Sequence, residues 1–324
     1  MAEYKVVLCL RSAILFLLAS GALSATFTVT NSCGYTVWPG VLSSAGTAAL
    51  GTTGFVLSPG ESRNLDVPAS WSGRLWGRTL CSTDPATGAF SCTTGDCGSA
   101  KTECSGGGAA PPATLAEFTL NGSGGMDFYD VSLVDGYNLP MLVVPHGGTG
   151  GNCTATGCLV DINSACPSDL KVVVAASVGG SGGVACKSAC EAFGSPQYCC
   201  SGAYGNPNTC RPSTYSQFFK NSCPRAYSYA YDDATSTFTC ASADYIITFC
   251  PGTASQKSSG KNPEAAGLPA AAGLPMVSSD GMVFLSGEQI SKASPPVMLR
   301  ISILPLALAV VLLVSLLQLL LLSF

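Results

Sequence analysis

From position 25 to about 78 apolar and polar residues alternate. Phe27 and Val29 stand against Thr28 and Thr30, then come Tyr35, Val37 and Trp38, and the runs FVLSPGESRNLDV and GRLWGRT continue the pattern. A period of two is that of a half-buried strand. Gly or Pro interrupts it about every eight to twelve residues, as in antiparallel sandwiches and barrels. After Cys81 the alternation stops. A Gly/Thr/Ser-rich stretch with Cys81, Cys92, Cys97 and Cys104 follows, and it predicts a loop region held by disulfides. Strand patterns resume in ATLAEFTL, MDFYDVSLV and MLVVPH.

Near Asp161 the texture changes. Cys186 and Cys190 are four apart in ACKSACEAF, so one helical face would present both sulfurs, and Gly194 is placed to end that helix. TYSQFFKNSC predicts a second short helix with Thr214 as its cap. Adjacent Cys199 and Cys200 are poor partners for each other. STFTC and YIITFC return to strand character. The predicted fold is mainly β: an antiparallel β-sandwich (about 25–78, 113–159 and 224–251) with an inserted disulfide-rich helical lobe (about 160–223) and a small disulfide-held loop domain (about 79–112).

The two ends differ from this middle. Residues 1–24 carry Lys5 and Arg11, a leucine-rich run and a small-x-small site at Ala22 and Ser24, the pattern of a secretory signal. Residues 252–300 are rich in Ala, Gly, Ser and Pro, a composition that cannot bury enough surface to order itself, and predict a stalk. The 24 uncharged residues 301–324 follow, with no basic residue after them. Small residues upstream, a spacer and this tail describe a GPI signal, with Ser286 or Ser291 as attachment sites; a retained membrane helix is the alternative.

Sixteen of the seventeen cysteines lie between Cys33 and Cys250. Such a count predicts an oxidising, extracellular compartment and eight disulfides. Residues 25–251 hold nine Lys and Arg against fifteen Asp and Glu. That balance argues against a nucleic-acid partner and for a neutral or cationic one.

The segments GAFSCTTGDC, TLAEFTLN, DFYDVSLVDGYNLPM, YCCSGAYGNPNTC and CPRAYSYAYDD, with the order of all sixteen cysteines, closely resemble the plant thaumatin-like proteins over residues 25–251. Ser99 and Ala100 stand where the family pattern has Gly or Gln, a departure confined to the loop between Cys97 and Cys104. The resemblance implies the pairing Cys33–Cys250, Cys81–Cys92, Cys97–Cys104, Cys153–Cys240, Cys158–Cys223, Cys166–Cys186, Cys190–Cys199 and Cys200–Cys210. It also implies a cleft between sandwich and lobe. That cleft is lined by Arg74, Glu117, Asp130, Asp135 and Asp232, with Asp233 as the second-ranked neighbour.

The residues allow this chemistry. In TLAEF, Phe118 and Leu120 share one strand face and Glu117 takes the other. Asp130 and Asp135 are five apart, which in a regular strand sends them to opposite faces, but Asp135-Gly136 is a turn and frees Asp135 from that parity. Two carboxylates across a sugar site can hydrolyse a glycosidic bond, one as acid and one as nucleophile or base. The resemblance makes Glu117 the acid and Asp135 the second carboxylate. It implies a defence protein that binds β-1,3-glucan or another wall polysaccharide and is antifungal, with a weak endo-β-1,3-glucanase and a cell-surface module read by a protein receptor as alternatives. Taken singly, each acid also reads as a solvated strand-edge residue. His146 is the only histidine, so a Ser-His-Asp triad or histidine metal site lacks its parts. No cofactor or metal is expected, and the protein is expected to be a monomer. Asn121-Gly122-Ser123 and Asn152-Cys153-Thr154 are glycosylation sequons.

Overall fold

A computed structural model describes residues 25–174 and 183–252 of the chain. The segments read as signal, GPI site and terminal tail, and nearly all of the stalk, lie outside the described residues.

Two sheets carry the architecture. The first runs in the order β3 (Ser62–Val67), β1 (Ala25–Asn31), β13 (Asp244–Phe249), β8 (Met141–His146) and β9 (Thr156–Cys158). The second runs β12 (Phe238–Cys240), β7 (Asp127–Ser132), β6 (Leu115–Thr119), β4 (Ser72–Thr83) and β2 (Trp38–Ser43), with β5 (Phe90–Thr94) paired to β4. A short ribbon joins β10 (Lys171–Val172) to β11 (Ala185–Cys186). Among the described residues there are four short α-helices, α1 (Ala189–Phe193), α2 (Pro196–Cys199), α3 (Thr214–Ser222) and α4 (Asp233–Ser236), and two single 3-10 turns at Ser123–Gly125 and Gly202–Tyr204.

The core lies where the alternation puts it. Phe27 of β1 and Tyr245 of β13 meet Phe118 of β6 and Tyr129 of β7: ring centroids are 4.4 Å apart for Phe27 and Phe118, and 5.1 Å for Tyr245 against both Phe118 and Tyr129. Each such side chain contributes about 1.5–3 kcal/mol by leaving water. The buried tyrosines also place their hydroxyls: Tyr245 donates to Asp127 Oδ2 at 2.9 Å and Tyr129 to the Thr154 carbonyl at 2.7 Å.

The outer face of the second sheet is also covered. Trp76 and Leu115 point outward and pack with Cys97, Cys104 and Ala113 of the loop region. Arg78 is fully buried there. Its guanidinium donates to the carbonyls of Trp38 (2.9 Å), Pro39 (3.2 Å) and Thr102 (2.5 Å), stitching the loop region onto the sheet.

Eight disulfides join Cys33 with Cys250, Cys81 with Cys92, Cys97 with Cys104, Cys153 with Cys240, Cys158 with Cys223, Cys166 with Cys186, Cys190 with Cys199 and Cys200 with Cys210.

Local details depart from the sequence pattern. The β1–β13 pair is parallel, whereas the other ladders are antiparallel. A parallel neighbour needs a long crossover, and here nearly the whole domain supplies it. Strand β4 continues through Cys81 to Thr83 and pairs Cys81 opposite Cys92, so the loop region begins as a hairpin. Cys186 ends β11 and is not helical. Helix α1 starts only at Ala189, because the Ser188 hydroxyl accepts the Glu191 N–H at 3.2 Å and sets the cap after Cys186. Gly194, at φ 63°, closes that helix. The cap of α3 is Ser213, not Thr214, because Ser213 and Ser216 bond reciprocally as a capping box.

Candidate functional site

Register brings three of the singled-out residues into one line. Arg74 of β4 lies directly opposite Glu117 of β6, and Glu117 directly opposite Asp130 of β7. Directly opposed residues share a face. Their neighbours Leu75, Phe118 and Tyr129 belong to the inner core, so the three polar side chains stand on the outer face. Asp135 follows β7 in a turn closed by the Gly136 N–H bonding the Leu133 carbonyl at 3.0 Å. Gly136 has φ 85°, and a Cβ there would stand 2.7 Å from the Cys186 carbonyl oxygen and from Pro112 Cβ. Only glycine lets the chain turn that tightly against β11.

The electrostatics tie these residues together. Burial pushes the Glu117 carboxyl up to about 7; Arg74 opposes that rise and Asp135 adds to it. Asp130 is 2 % exposed. Burial carries it well above the usual carboxylate range, with Glu117 and then Asp233 pushing further. Asp135 is also raised by burial, against Arg74. Arg74 is therefore the cation felt by both Glu117 and Asp135. Its guanidinium borders the loop region, where a Cβ at Gly108 would be 3.5 Å from Nη2.

Asp232 is engaged differently. Its Oδ2 lies 2.8 Å from Lys220 Nζ and accepts the Ser228 N–H and hydroxyl, each at 3.0 Å, while Oδ1 accepts the Thr235 hydroxyl at 3.2 Å. It braces the turn before α4 against α3. Asp233 is the neighbour that Asp130 feels, and Asp233 accepts the Tyr227 hydroxyl at 2.9 Å. The structure thus brings together Arg74, Glu117, Asp130 and Asp135, with Asp233 beside Asp130 and Asp232 one step behind.

One further acid was not singled out in the sequence. Glu191 of α1 is raised to about 7 by burial, with Lys187 opposing and Asp135 adding. Its only signals in the sequence are the Lys187 four residues earlier and its place in the first turn of a helix. Both sequon asparagines are exposed. Asn121 sits in a turn at φ 50°, and Asn152 donates to the Thr237 carbonyl at 3.1 Å.

Acids whose carboxyls burial and mutual repulsion raise, with one guanidinium beside them, offer hydrogen-bond donors as well as acceptors. Carboxyls whose environments separate their protonation are also the parts an acid–base pair needs. Among the described residues no three of His, Cys, Asp and Glu converge to hold a metal ion.

The model of the Thaumatin family matches residues 31–251. Thaumatin-like protein 1 of Arabidopsis thaliana is 60 % identical over 237 residues, covering 71 % of this chain and 88 % of that protein. Pathogenesis-related thaumatin-like protein 3.5 of Cryptomeria japonica is 56 % identical over 227 residues, 70 % of this chain and 90 % of that protein. The PR5-like receptor kinase of Arabidopsis thaliana is 55 % identical over 241 residues, 74 % of this chain and 36 % of the kinase.

Proposed function

The chain belongs to the thaumatin family, and on that premise we propose that it is an extracellular defence protein that binds β-1,3-glucan or a related wall polysaccharide. The binding surface is an acidic cleft built on Arg74, Glu117, Asp130 and Asp135, with Asp232 bracing its far wall. The observation that carries this reading is the cross-strand row of Arg74, Glu117 and Asp130 on one sheet face. A sugar hydroxyl is donor and acceptor at once, and such a row offers both. A polyanion would meet repulsion there.

The test is laminarin binding by the purified protein and by Glu117→Gln, with reducing ends measured in the same tubes. Binding by the wild type that weakens in the variant supports the reading. Absence of binding by both refutes it.

A second reading is a weak endo-β-1,3-glucanase with Glu117 as general acid and Asp135 as the second carboxylate. It is favoured by one observation: Glu117 is raised to about 7, so it still carries a proton near neutrality. Release of reducing ends that Glu117→Gln abolishes would establish it. A protein partner is the third reading, suggested by the relative named as a receptor kinase. It leads if laminarin does not bind. The C-terminal segment is proposed as a GPI signal, and release of the protein from membranes by a phosphatidylinositol-specific phospholipase tests that. Glycosylation at Asn121 and Asn152 is proposed from their sequons and exposure, and a mass shift on glycosidase treatment tests it.

A further inference from the structure

Where β7 runs out towards Asp135, the lobe hollows into a small half-open pocket. Its floor is apolar. Ala189, Phe219 and Cys210 are buried there, and Val134, Tyr198 and Tyr229 stand half-buried around them. Four serines line it too, but their hydroxyls are already engaged. Ser188 Oγ accepts the Glu191 N–H at 3.2 Å, and Ser228 Oγ donates to Asp232 Oδ2 at 3.0 Å. Ser213 Oγ accepts the Ser216 N–H at 3.0 Å, and Ser216 Oγ the Ser213 N–H at 2.8 Å. An occupant therefore finds few unengaged polar groups inside and is held mainly by leaving water. The hollow takes the branched end of a valine or leucine, not a sugar ring.

Charge surrounds this apolar spot unevenly. Val134 precedes Asp135 in the chain, and Ser228 bonds Asp232, with Asp233 next. Lys220 answers Asp232 at 2.8 Å. Asp135 and Asp233 are half-buried, and neither forms a salt bridge among the described residues. Arg211, exposed at the pocket, carries the charge among its lining residues. Residues 25–251 as a whole hold nine Lys and Arg against fifteen Asp and Glu, so a cationic partner is drawn in from a distance.

We infer that the pocket is a docking point for a basic polypeptide: a short aliphatic side chain of the partner enters it, and a neighbouring Lys or Arg meets Asp135 or Asp233. Arg211 donates to a backbone carbonyl of the same segment. A polypeptide is the occupant because it joins an aliphatic side chain, a cation and a carbonyl within two residues. The inference stands apart from the carbohydrate reading above, since it concerns a different ligand and a pocket that offers a sugar few partners.

Three labelled peptides titrated with the full chain at low salt test this: Lys-Lys-Leu-Lys-Lys, Lys-Lys-Ser-Lys-Lys and Glu-Glu-Leu-Glu-Glu. The first should bind about tenfold more tightly than the second, the scale of burying one aliphatic side chain, and the third should not bind. Gln197→Trp, at an exposed lining position, covers the pocket and should erase the preference for leucine over serine at an unchanged melting temperature. Arg211→Ser, also exposed, should weaken the leucine peptide severalfold. Equal binding of the leucine and serine peptides overturns the proposal, because charge alone then accounts for it. A leucine preference that survives in both variants overturns it as well, by placing the contact elsewhere. So does Gln197→Trp losing laminarin while no peptide binds, which assigns the pocket to the sugar, or losing a self-association of the wild type, which assigns it to a second copy.

Discussion

Replacing Glu117 with glutamine tests the electrostatics of the acidic row directly. Glutamine keeps the shape and one acceptor oxygen but cannot ionise. In the folded domain burial moves the glutamate from 4.5 to about 7, with Arg74 opposing and Asp135 adding. The folded state therefore holds a proton on this group that the unfolded state has already released. Stability from this group is fully present below pH 4.5 and is lost as pH rises through 7. At about 1.4 kcal/mol per pH unit the wild type carries a penalty of about 3 kcal/mol at pH 8. Coupling to Asp130, which is raised in the same direction, makes that figure a ceiling for one substitution. Guanidinium unfolding with disulfides intact, followed by fluorescence of the buried Trp71 and Trp76, measures it. Wild type and Glu117→Gln should be nearly equal at pH 4, and the variant should be the more stable by about 2–3 kcal/mol at pH 8. If the gap between the two proteins is the same at both pH values, the carboxyl titrates near 4.5 in the folded domain and the account of the row is wrong.

Four further outcomes follow from the same contacts. Lys220→Met strands Asp232, whose carboxylate it meets at 2.8 Å, and should cost about 3 kcal/mol in chemical denaturation, with part regained in Lys220→Met/Asp232→Asn. Arg78→Leu removes the guanidinium that bonds the carbonyls of Trp38, Pro39 and Thr102. It should cost about 3 kcal/mol or more and raise amide exchange across Cys97–Cys104 first. Cys33→Ser/Cys250→Ser opens a bridge spanning 217 residues and should lower stability by up to about 5 kcal/mol in the chain-entropy account, read as a drop in melting temperature. Gly136→Ala forces a methyl to 2.7 Å from the Cys186 carbonyl at positive φ, so a loss of about 1–3 kcal/mol and weaker laminarin binding are expected together.

Much of the fold was legible because strand alternation is local and strong. Phe27, Phe118 and Tyr129 point inward, as a period of two requires, and Glu117 is left on the opposite face. Most of what was not legible depended on contacts distant in sequence. The parallel pairing of β1 with β13 is invisible locally, because either direction gives the same alternation. Helix α1 starts three residues after Cys186, because a serine hydroxyl captured a backbone N–H; the cysteine spacing alone suggested a longer helix. In the site, Arg74, Glu117 and Asp130 come into line through strand register. The adjacent pair Asp232 and Asp233 could be sorted only by knowing where Lys220 and Tyr227 lie. Glu191 escaped notice because an i,i+4 pair with lysine is the ordinary pattern of a solvated helix. Only the packing of the lobe against the turn at Asp135 makes it otherwise.

The position of the acids explains why a domain with an adequate core is so heavily cross-linked. Glu117, Asp130, Asp135 and Glu191 are all raised by burial first, so at neutral pH each favours any motion that lets water in. The loop region comes up to Arg74 at Gly108 and the lobe meets the turn after Asp135 at Cys186, and neither is a large sheet or helix able to resist such motion through its own backbone hydrogen bonds. Helices α1 and α2 have five and four residues, far below the length at which a helix is stable alone. Cys166–Cys186, Cys190–Cys199 and Cys200–Cys210 are short-range bridges in that lobe, and Cys81–Cys92 and Cys97–Cys104 are short-range bridges in the loop region. Short bridges add little to global stability in the chain-entropy account compared with one spanning the domain. Their effect is local: they keep small, weakly structured segments in one shape. The short cross-links therefore concentrate in the lobe and the loop region, and the sandwich carries the long-range ones: Cys33–Cys250 joins its two ends, Cys153–Cys240 lies within it and Cys158–Cys223 ties it to the lobe.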